Sequence, residues 1–344
     1  MSNSKRIGVI GVGSFGTSIA NLLSYNTKVL VYTRKESVLE AINNGQAHMG
    51  LTLTDKVEAT NDLKYLAEQC DVIFPVVPSD NFRSMMKNLS PYLRPYHVLI
   101  HGTKGFDVQT PKDMPDEPLT RAHIYTMSEV IRKESVVVRI GCLAGPNLSK
   151  EIIEVQPTAT VIASRFNEVI EVGKQVLNSK HFQVFGTREL LGTELAGALK
   201  NSIAIGSGIL TGKGMGKNIQ GLLINRGMME MINFGKAMGT SPKAFLGTAG
   251  IADLIATATS EKSRNFTFGK RLGEGEDLEN IKSSMPELAE GVRTLKIAKG
   301  LATHYGLNAP ITDMIYRVVY EGFAIDTAIE LLMRYPYYVD VDFI

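Results

Sequence analysis

The sequence predicts two domains: an N-terminal α/β domain with a doubly wound sheet, followed by an all-α C-terminal domain. Three observations predict this. The chain has 344 residues, more than one ordinary core needs and comfortable for two. From Lys5 to about Thr187, short β-branched runs alternate with helical segments, the pattern of βαβ units. Beyond about Arg188, strand-like runs nearly vanish and helical periodicity takes over. The expected domains are 1–189 and 190–344, joined by little or no linker.

The strand candidates, in order, are 6–10, 28–32, 71–77, 96–101, 136–143, 159–163 and 182–184. Several are apolar on both faces, as strands buried under helices on each side must be. In the C-terminal half, the run ELLGTELAGALKNSIAIGSGIL has helical spacing, and segments 221–238 and 311–334 repeat it.

Composition excludes several classes. Hydrophobic residues make up 44% and charged residues 21%, a globular balance rather than a disordered one. A net charge of +2 with scattered Lys and Arg gives no basic stripe for nucleic acid. No apolar run approaches the roughly 18–20 residues that cross a bilayer, so stable membrane insertion is not expected. The start MSNSKRIGVIGVG runs straight into a strand without a signal-peptide core. The two cysteines, Cys70 and Cys142, form no C-x-x-C pair, which points to a reducing, cytoplasmic compartment. No metal site is expected: His97 and His101, four apart on a strand, would stand about 13 Å from each other.

The strongest local signal is Gly11-Val12-Gly13-Ser14-Phe15-Gly16, a G-x-G-x-x-G string. It follows the strand RIGVI and opens the helix FGTSIANLLS, the setting its physics needs. Gly11 permits the tight turn, Gly13 lets the backbone approach a diphosphate, and Gly16 lets helix and strand pack closely. This is a Rossmann-type dinucleotide fingerprint. At the end of the second strand, NAD-specific enzymes usually carry an acidic residue; this chain has Thr33-Arg34-Lys35. Arg34 suits a 2′-phosphate or adenine stacking, so NADP(H) is expected alongside NAD(H).

Three further segments place polar groups in apolar or glycine-rich surroundings. Lys104 follows a strand end, in HGTKGF, where the cofactor crevice lies in such sheets. Lys200, followed by Asn201, sits midway through an apolar helix. It either snorkels to water or is buried, and burial would lower its pKa toward proton-transfer duty. Glu194, six residues earlier, falls on another helix face and is a poor partner. Ser263-Arg264-Asn265, beside Lys262 and downstream of Asp253, carries donors suited to a phosphate dianion.

Taken in order, the segments GVGSFGTSIA, CDVIFPVVPSDNFR, HGTKGF, LAGPNLSKEI, the long ELAGALKN…MMEM run, GTAGIADLIATATSEKSRNFTFG and AEGVRT resemble the bacterial NAD(P)-dependent glycerol-3-phosphate dehydrogenases over nearly the whole chain. The resemblance implies reversible reduction of dihydroxyacetone phosphate to sn-glycerol 3-phosphate, for phospholipid synthesis. It implies that Lys200 exchanges the proton at the substrate oxygen, and that Lys104 polarises that oxygen and touches the cofactor. Asp253, Ser263, Arg264 and Asn265 would hold the substrate, with Gly145 and Ser149 lining the pocket. Ser14, Phe15, Arg34, Arg264 and Glu290 would bind the cofactor. The sequence leaves the oligomeric state open, with a homodimer compatible with the apolar helical domain.

The chain departs from the family pattern at four places. Ala252 precedes Asp253 where glycine is usual, Phe15 stands for Trp or Tyr, Phe266-Thr267 replace basic residues, and His101 replaces a small one. Two other readings stay open: a ketopantoate-type dehydrogenase with a similar lysine, and a non-catalytic dinucleotide sensor. The Ser263-Arg264-Asn265 cluster favours a phosphate over a carboxylate substrate.

Overall fold

A computed structural model describes residues 6–110, 119–285, 289–336 and 340; Lys5, the expected start of the alternation, lies outside them. The chain divides into two compact units, one of residues 1–107 and 126–190, the other of 108–125 and 191–344. The break at 190/191 falls one residue from the expected boundary. The assignment of 108–125 to the second unit has no counterpart in the sequence reading.

The strands are β1 (Ile7–Ile10), β2 (Val29–Tyr32), β3 (Val57–Thr60), β4 (Val72–Pro75), β5 (Val98–His101), β6 (Asp107–Val108), β7 (Ile124–Tyr125), β8 (Arg139–Ala144), β9 (Thr158–Ser164) and β10 (Phe182–Thr187). The helices of the first unit are α1 (Ser14–Ser24), α2 (Glu36–Asn43), α3 (Leu63–Gln69), α4 (Ser79–Leu89), α5 (Met127–Glu134), α6 (Ser149–Ile153) and α7 (Asn167–Leu177).

Eight strands form one sheet in the order β10-β9-β8-β5-β4-β1-β2-β3. β1 pairs in parallel with both β2 and β4, so the strand order reverses there. The carboxyl end of β1, at this reversal, is where open α/β sheets bind ligands. β1 reads Ile-Gly-Val-Ile and is buried throughout, because helices cover both faces of the central strands. Side chains such as Phe74 and Leu23 have no exposure, each contributing about 1.5–3 kcal/mol by leaving water.

Two features depart from the sequence reading. β9 runs antiparallel to β8, with Gly141 opposite Ser164. The connection between them holds only the five-residue α6, too short for a crossover helix, so the chain returns directly. β3 was absent from the strand candidates. It is a four-residue edge strand in which Val57 and Ala59 are buried and Glu58 is exposed.

The second unit is helical: α8 (Leu190–Gly212), α9 (Lys217–Ala237), α10 (Lys243–Leu246), α11 (Asp253–Thr259), α12 (Arg264–Gly273), α13 (Leu278–Ser284), α14 (Glu290–Tyr305), α15 (Pro310–Tyr320) and α16 (Ile325–Met333). The expected single run 311–334 is two helices, interrupted at Gly322, whose φ of +64° cannot continue a helix. α8 is buried on all sides from Leu195 to Leu210, the mark of a central helix. α12 crosses it closely: a Cβ at Gly208 would stand 2.1 Å from the Phe266 carbonyl oxygen, and one at Gly269 2.0 Å from that of Ile205. Leu119, which belongs to this unit, lies with its side chain against Gly300 of α14.

Candidate active site

In the first unit, the fingerprint forms the turn from β1 into α1. Gly11 has φ +105°, and a Cβ there would stand 2.3 Å from the Val76 carbonyl oxygen; one at Gly16 would stand 1.9 Å from that of Gly11. Only glycine fits either place. A Cβ at Gly13 would meet nothing within 4 Å, which leaves the approach to this turn open. No side chain caps the start of α1, so its first N–H groups meet no competing side-chain acceptor. An open, glycine-lined helix N-terminus fits a dinucleotide diphosphate.

Of the expected cofactor residues, Ser14, Phe15, Arg34 and Lys104 lie in this unit, and Arg264 and Glu290 lie in the second. Ser14 is exposed, and Phe15 is half-buried with its ring edge against Gly102. Arg34 is exposed one residue beyond the buried Thr33, which follows β2. The Lys104 ammonium donates to the Gly145 carbonyl oxygen at 2.8 Å, joining two expected site residues. Ser149 opens α6, and its carbonyl accepts from the Ser18 hydroxyl at 3.4 Å. His101 is buried, with the Phe82 ring edge-on at 5.9 Å between centroids.

In the second unit, Lys200 is 4% exposed, which rules out snorkelling. Its ammonium lies 3.1 Å from an Asp253 carboxylate oxygen and donates to the Thr257 hydroxyl. Thr257 in turn donates to Asp253 at 3.3 Å. A buried ammonium needs a counter-charge, and Asp253 supplies it. The sequence reading gave Asp253 to the substrate alone; here it also holds the lysine. Asp253 starts α11 directly after a single turn of π-helix, Thr248–Ala252; Ala252 has φ −67° and ψ −42°, a helical backbone that needs no glycine.

Asn265 links this pair to the phosphate cluster. Its Nδ2 donates to Asn201 Oδ1 at 3.0 Å, and its Oδ1 accepts from the Gly291 N–H at 2.8 Å. Residues adjacent to Lys200, Arg264 and Glu290 are thereby clamped together. Ser263 caps α12, accepting from the Phe266 N–H at 3.4 Å. Arg264 is exposed in the first turn of that helix, where the dipole favours anions. Phe266, which replaces an expected basic residue, is 3% exposed and packs inside.

Two residues escaped the sequence reading. Asn147, two after Gly145, is 9% exposed; its Nδ2 donates to Thr160 at 2.9 Å while its Oδ1 has no hydrogen-bond partner. A polar side chain after Gly-Pro at a strand end was the available signal. His48 lies far from the fingerprint in sequence yet reaches the Val12 carbonyl, and nothing local announces it. Among the described residues no group of His, Cys, Asp or Glu could hold a metal ion, and no helix is long and apolar enough to cross a membrane.

Comparison with known proteins identifies the family. The models of the NAD-dependent glycerol-3-phosphate dehydrogenase N-terminus and C-terminus match residues 6–170 and 189–330. The glycerol-3-phosphate dehydrogenase [NAD(P)+] of Pseudomonas fluorescens (strain SBW25) is 38% identical over 100% of this chain and 98% of its own. That of Teredinibacter turnerae is 36% identical over 99% and 98%. The crystal structure of the Coxiella burnetii glycerol-3-phosphate dehydrogenase superposes with a TM-score of 0.86 at 27% identity, covering 96% of this chain and 99% of that one. A ketopantoate reductase from Ralstonia eutropha, at 13% identity and a TM-score of 0.56 over 91% and 97% of the two chains, shares the fold alone. Matched at both ends and over its full length, the chain belongs to the NAD-dependent glycerol-3-phosphate dehydrogenase family.

Proposed function

We propose that this protein reduces dihydroxyacetone phosphate reversibly to sn-glycerol 3-phosphate with NADPH or NADH, supplying the backbone of glycerophospholipids. One observation carries the choice of substrate. The Asn201–Asn265 hydrogen bond ties the buried Lys200–Asp253 pair to a helix N-terminus bearing Ser263, Arg264 and Asn265. A proton donor and a phosphate-binding element therefore belong to one rigid cluster. Ser263, Arg264 and Asn265 at a helix N-terminus offer several donors to a phosphate dianion.

Ser14, Phe15, Arg34, Lys104, Arg264 and Glu290 bind the cofactor in this reading, with Gly11, Gly13 and Gly16 shaping its turn. When bound, the reduced nicotinamide supplies hydride to the carbonyl carbon. Lys200 Nζ gives its proton to the carbonyl oxygen as negative charge grows there, and takes it back in the reverse direction. Asp253 and Thr257 hold Nζ in place throughout. In this reading Lys104, whose ammonium donates to the Gly145 carbonyl, polarises the substrate oxygen. Arg264 and the α12 N-terminus bind the remote phosphate, which orients the reacting carbon. Gly145 and Ser149 line the pocket, and Asn147 Oδ1 accepts from a ligand donor.

The same reading makes 1–189 the cofactor domain and 190–344 the substrate domain of a cytoplasmic homodimer. The test is steady-state absorbance with dihydroxyacetone phosphate and, separately, ketopantoate, each with NADPH and NADH. Turnover of the phosphorylated ketone is expected with at least one nicotinamide. Turnover of ketopantoate alone, or tight cofactor binding without turnover of either ketone, would reverse the assignment.

A further inference from the structure

We propose that His48 is a positioning residue for the cofactor turn, acting through the peptide plane between Val12 and Gly13. The inference rests on reading that turn as the dinucleotide site. His48 Nε2 lies 2.7 Å from the Val12 carbonyl oxygen. A carbonyl only accepts, so Nε2 carries the proton and donates it.

The consequence follows from peptide geometry. The Val12 carbonyl and the Gly13 N–H belong to one planar trans unit and point in opposite directions. Pinning the carbonyl on one side therefore aims the Gly13 N–H at the other. This plane needs pinning, because glycines flank Val12 and glycine permits rotations that other residues resist. A rotated plane would present a carbonyl oxygen to an anion that requires an N–H. Thr17 holds the same oxygen from below, its hydroxyl donating at 3.3 Å. Two donors from different elements thus fix one carbonyl: Thr17 from α1, and His48 from the connection after α2.

The backbone that presents His48 is itself constrained. His48 and Leu51 exchange both backbone hydrogen bonds, at 2.8 and 3.0 Å. Between them, Met49 and Gly50 both have positive φ, +52° and +78°. Positive φ at both central positions is the geometry of a type I′ turn. A methionine in that region is costly, and the tight turn delivers the histidine ring to Val12. Met49 Sδ also stands 3.9 Å from the Ser14 hydroxyl, so the turn sits against the first residue of α1.

The test compares His48→Phe, which keeps a ring without the donor, with His48→Gln, which keeps an N–H. NADPH binding is followed by fluorescence titration without substrate, and then KM and kcat by steady-state assay. For His48→Phe, the Kd and KM for NADPH should rise about two- to thirteen-fold, the range set by one hydrogen bond. Its kcat at saturating cofactor and its KM for the ketone should stay near wild type, and His48→Gln should recover most of the loss. Wild-type Kd in His48→Phe would overturn the proposal, as would a loss shared equally by kcat, both KM values and thermal stability. Failure of the wild-type protein to bind either NADPH or NADH would instead sink the reading of the turn itself. If His48→Phe does not fold, a His48→Gln variant that folds and binds NADPH as weakly as His48→Ala overturns it too.

Discussion

The ammonium of Lys200 and the carboxylate of Asp253 lie 3.1 Å apart, with side chains only 5% and 2% exposed. Neither group is tolerable there without the other, since an unpaired buried charge is strongly destabilising. On the proposed function, catalysis and stability are joined at this one contact, and two substitutions separate them. Lys200→Met should lower kcat by about 10²- to 10⁴-fold and cost about 3–5 kcal/mol by stranding the carboxylate. Adding Asp253→Asn should restore much of the stability and none of the turnover. Thermal melts and steady-state rates on both proteins check this; a Lys200→Met enzyme within tenfold of wild type would remove the lysine from its role.

The clamp around Asn265 predicts a sensitive glycine. A Cβ at Gly291 would stand 2.6 Å from the Asn201 carbonyl oxygen and 2.7 Å from Asn265 Oδ1. Gly291→Ala should displace Asn265 and with it the first turn of α12. The expected result is a KM for dihydroxyacetone phosphate raised at least tenfold, with stability lowered by about 1–3 kcal/mol. An unchanged KM would show that substrate binding does not depend on the clamp.

Arg34 should govern the choice of nicotinamide. It stands exposed beyond β2, where an acidic residue would favour NAD. Arg34→Ala should raise the KM for NADPH by roughly ten- to a hundred-fold, the worth of a charge-assisted contact to phosphate, and leave that for NADH within about twofold. Equal losses with both cofactors would place Arg34 on the adenine rather than on a phosphate.

Glu230 gives the protein a predictable pH dependence. Its carboxylate is buried and accepts from the Ile311 N–H at 2.6 Å, the Thr312 N–H at 2.9 Å and the Thr312 hydroxyl at 2.7 Å. Burial outweighs these bonds and pushes its pKa up from 4.5 to about 7. A raised folded-state pKa means the native protein holds the proton more tightly than the unfolded chain. The associated stability is therefore full below about pH 4.5 and lost as pH rises through about 7. The loss is of the order of 3 kcal/mol. Urea midpoints between pH 5 and 8 should fall in the wild type relative to Glu230→Gln; parallel curves would mean that Glu230 stays ionised throughout.

The centre of the sheet was legible because its causes are local. β1 is apolar on both faces and runs into glycines whose spacing has a steric meaning, so sequence alone locates the turn. β3 was not legible: four residues with one buried face give too short a pattern. The direction of β9 depends on the shortness of α6, which no periodicity announces. At the site, residue types identified Lys200 and Ser263-Arg264-Asn265, yet the pairing with Asp253 spans 53 positions and is made by packing two helices. His48 is the extreme case, because its role is set wholly by where a distant turn delivers it.

The contact of Leu119 with Gly300 of α14 has a consequence for how the protein is made. Leu119 emerges from the ribosome about 180 residues before Gly300, the residue it packs against. At ~5–20 residues per second, that interval is roughly ten to forty seconds. For that time Leu119 has no native resting place, whatever the state of the sheet that flanks it. A gene fragment encoding 190–344 would lack it permanently, so the helical half is not a portable cassette. It completes itself only with a piece of chain borrowed from the middle of its neighbour.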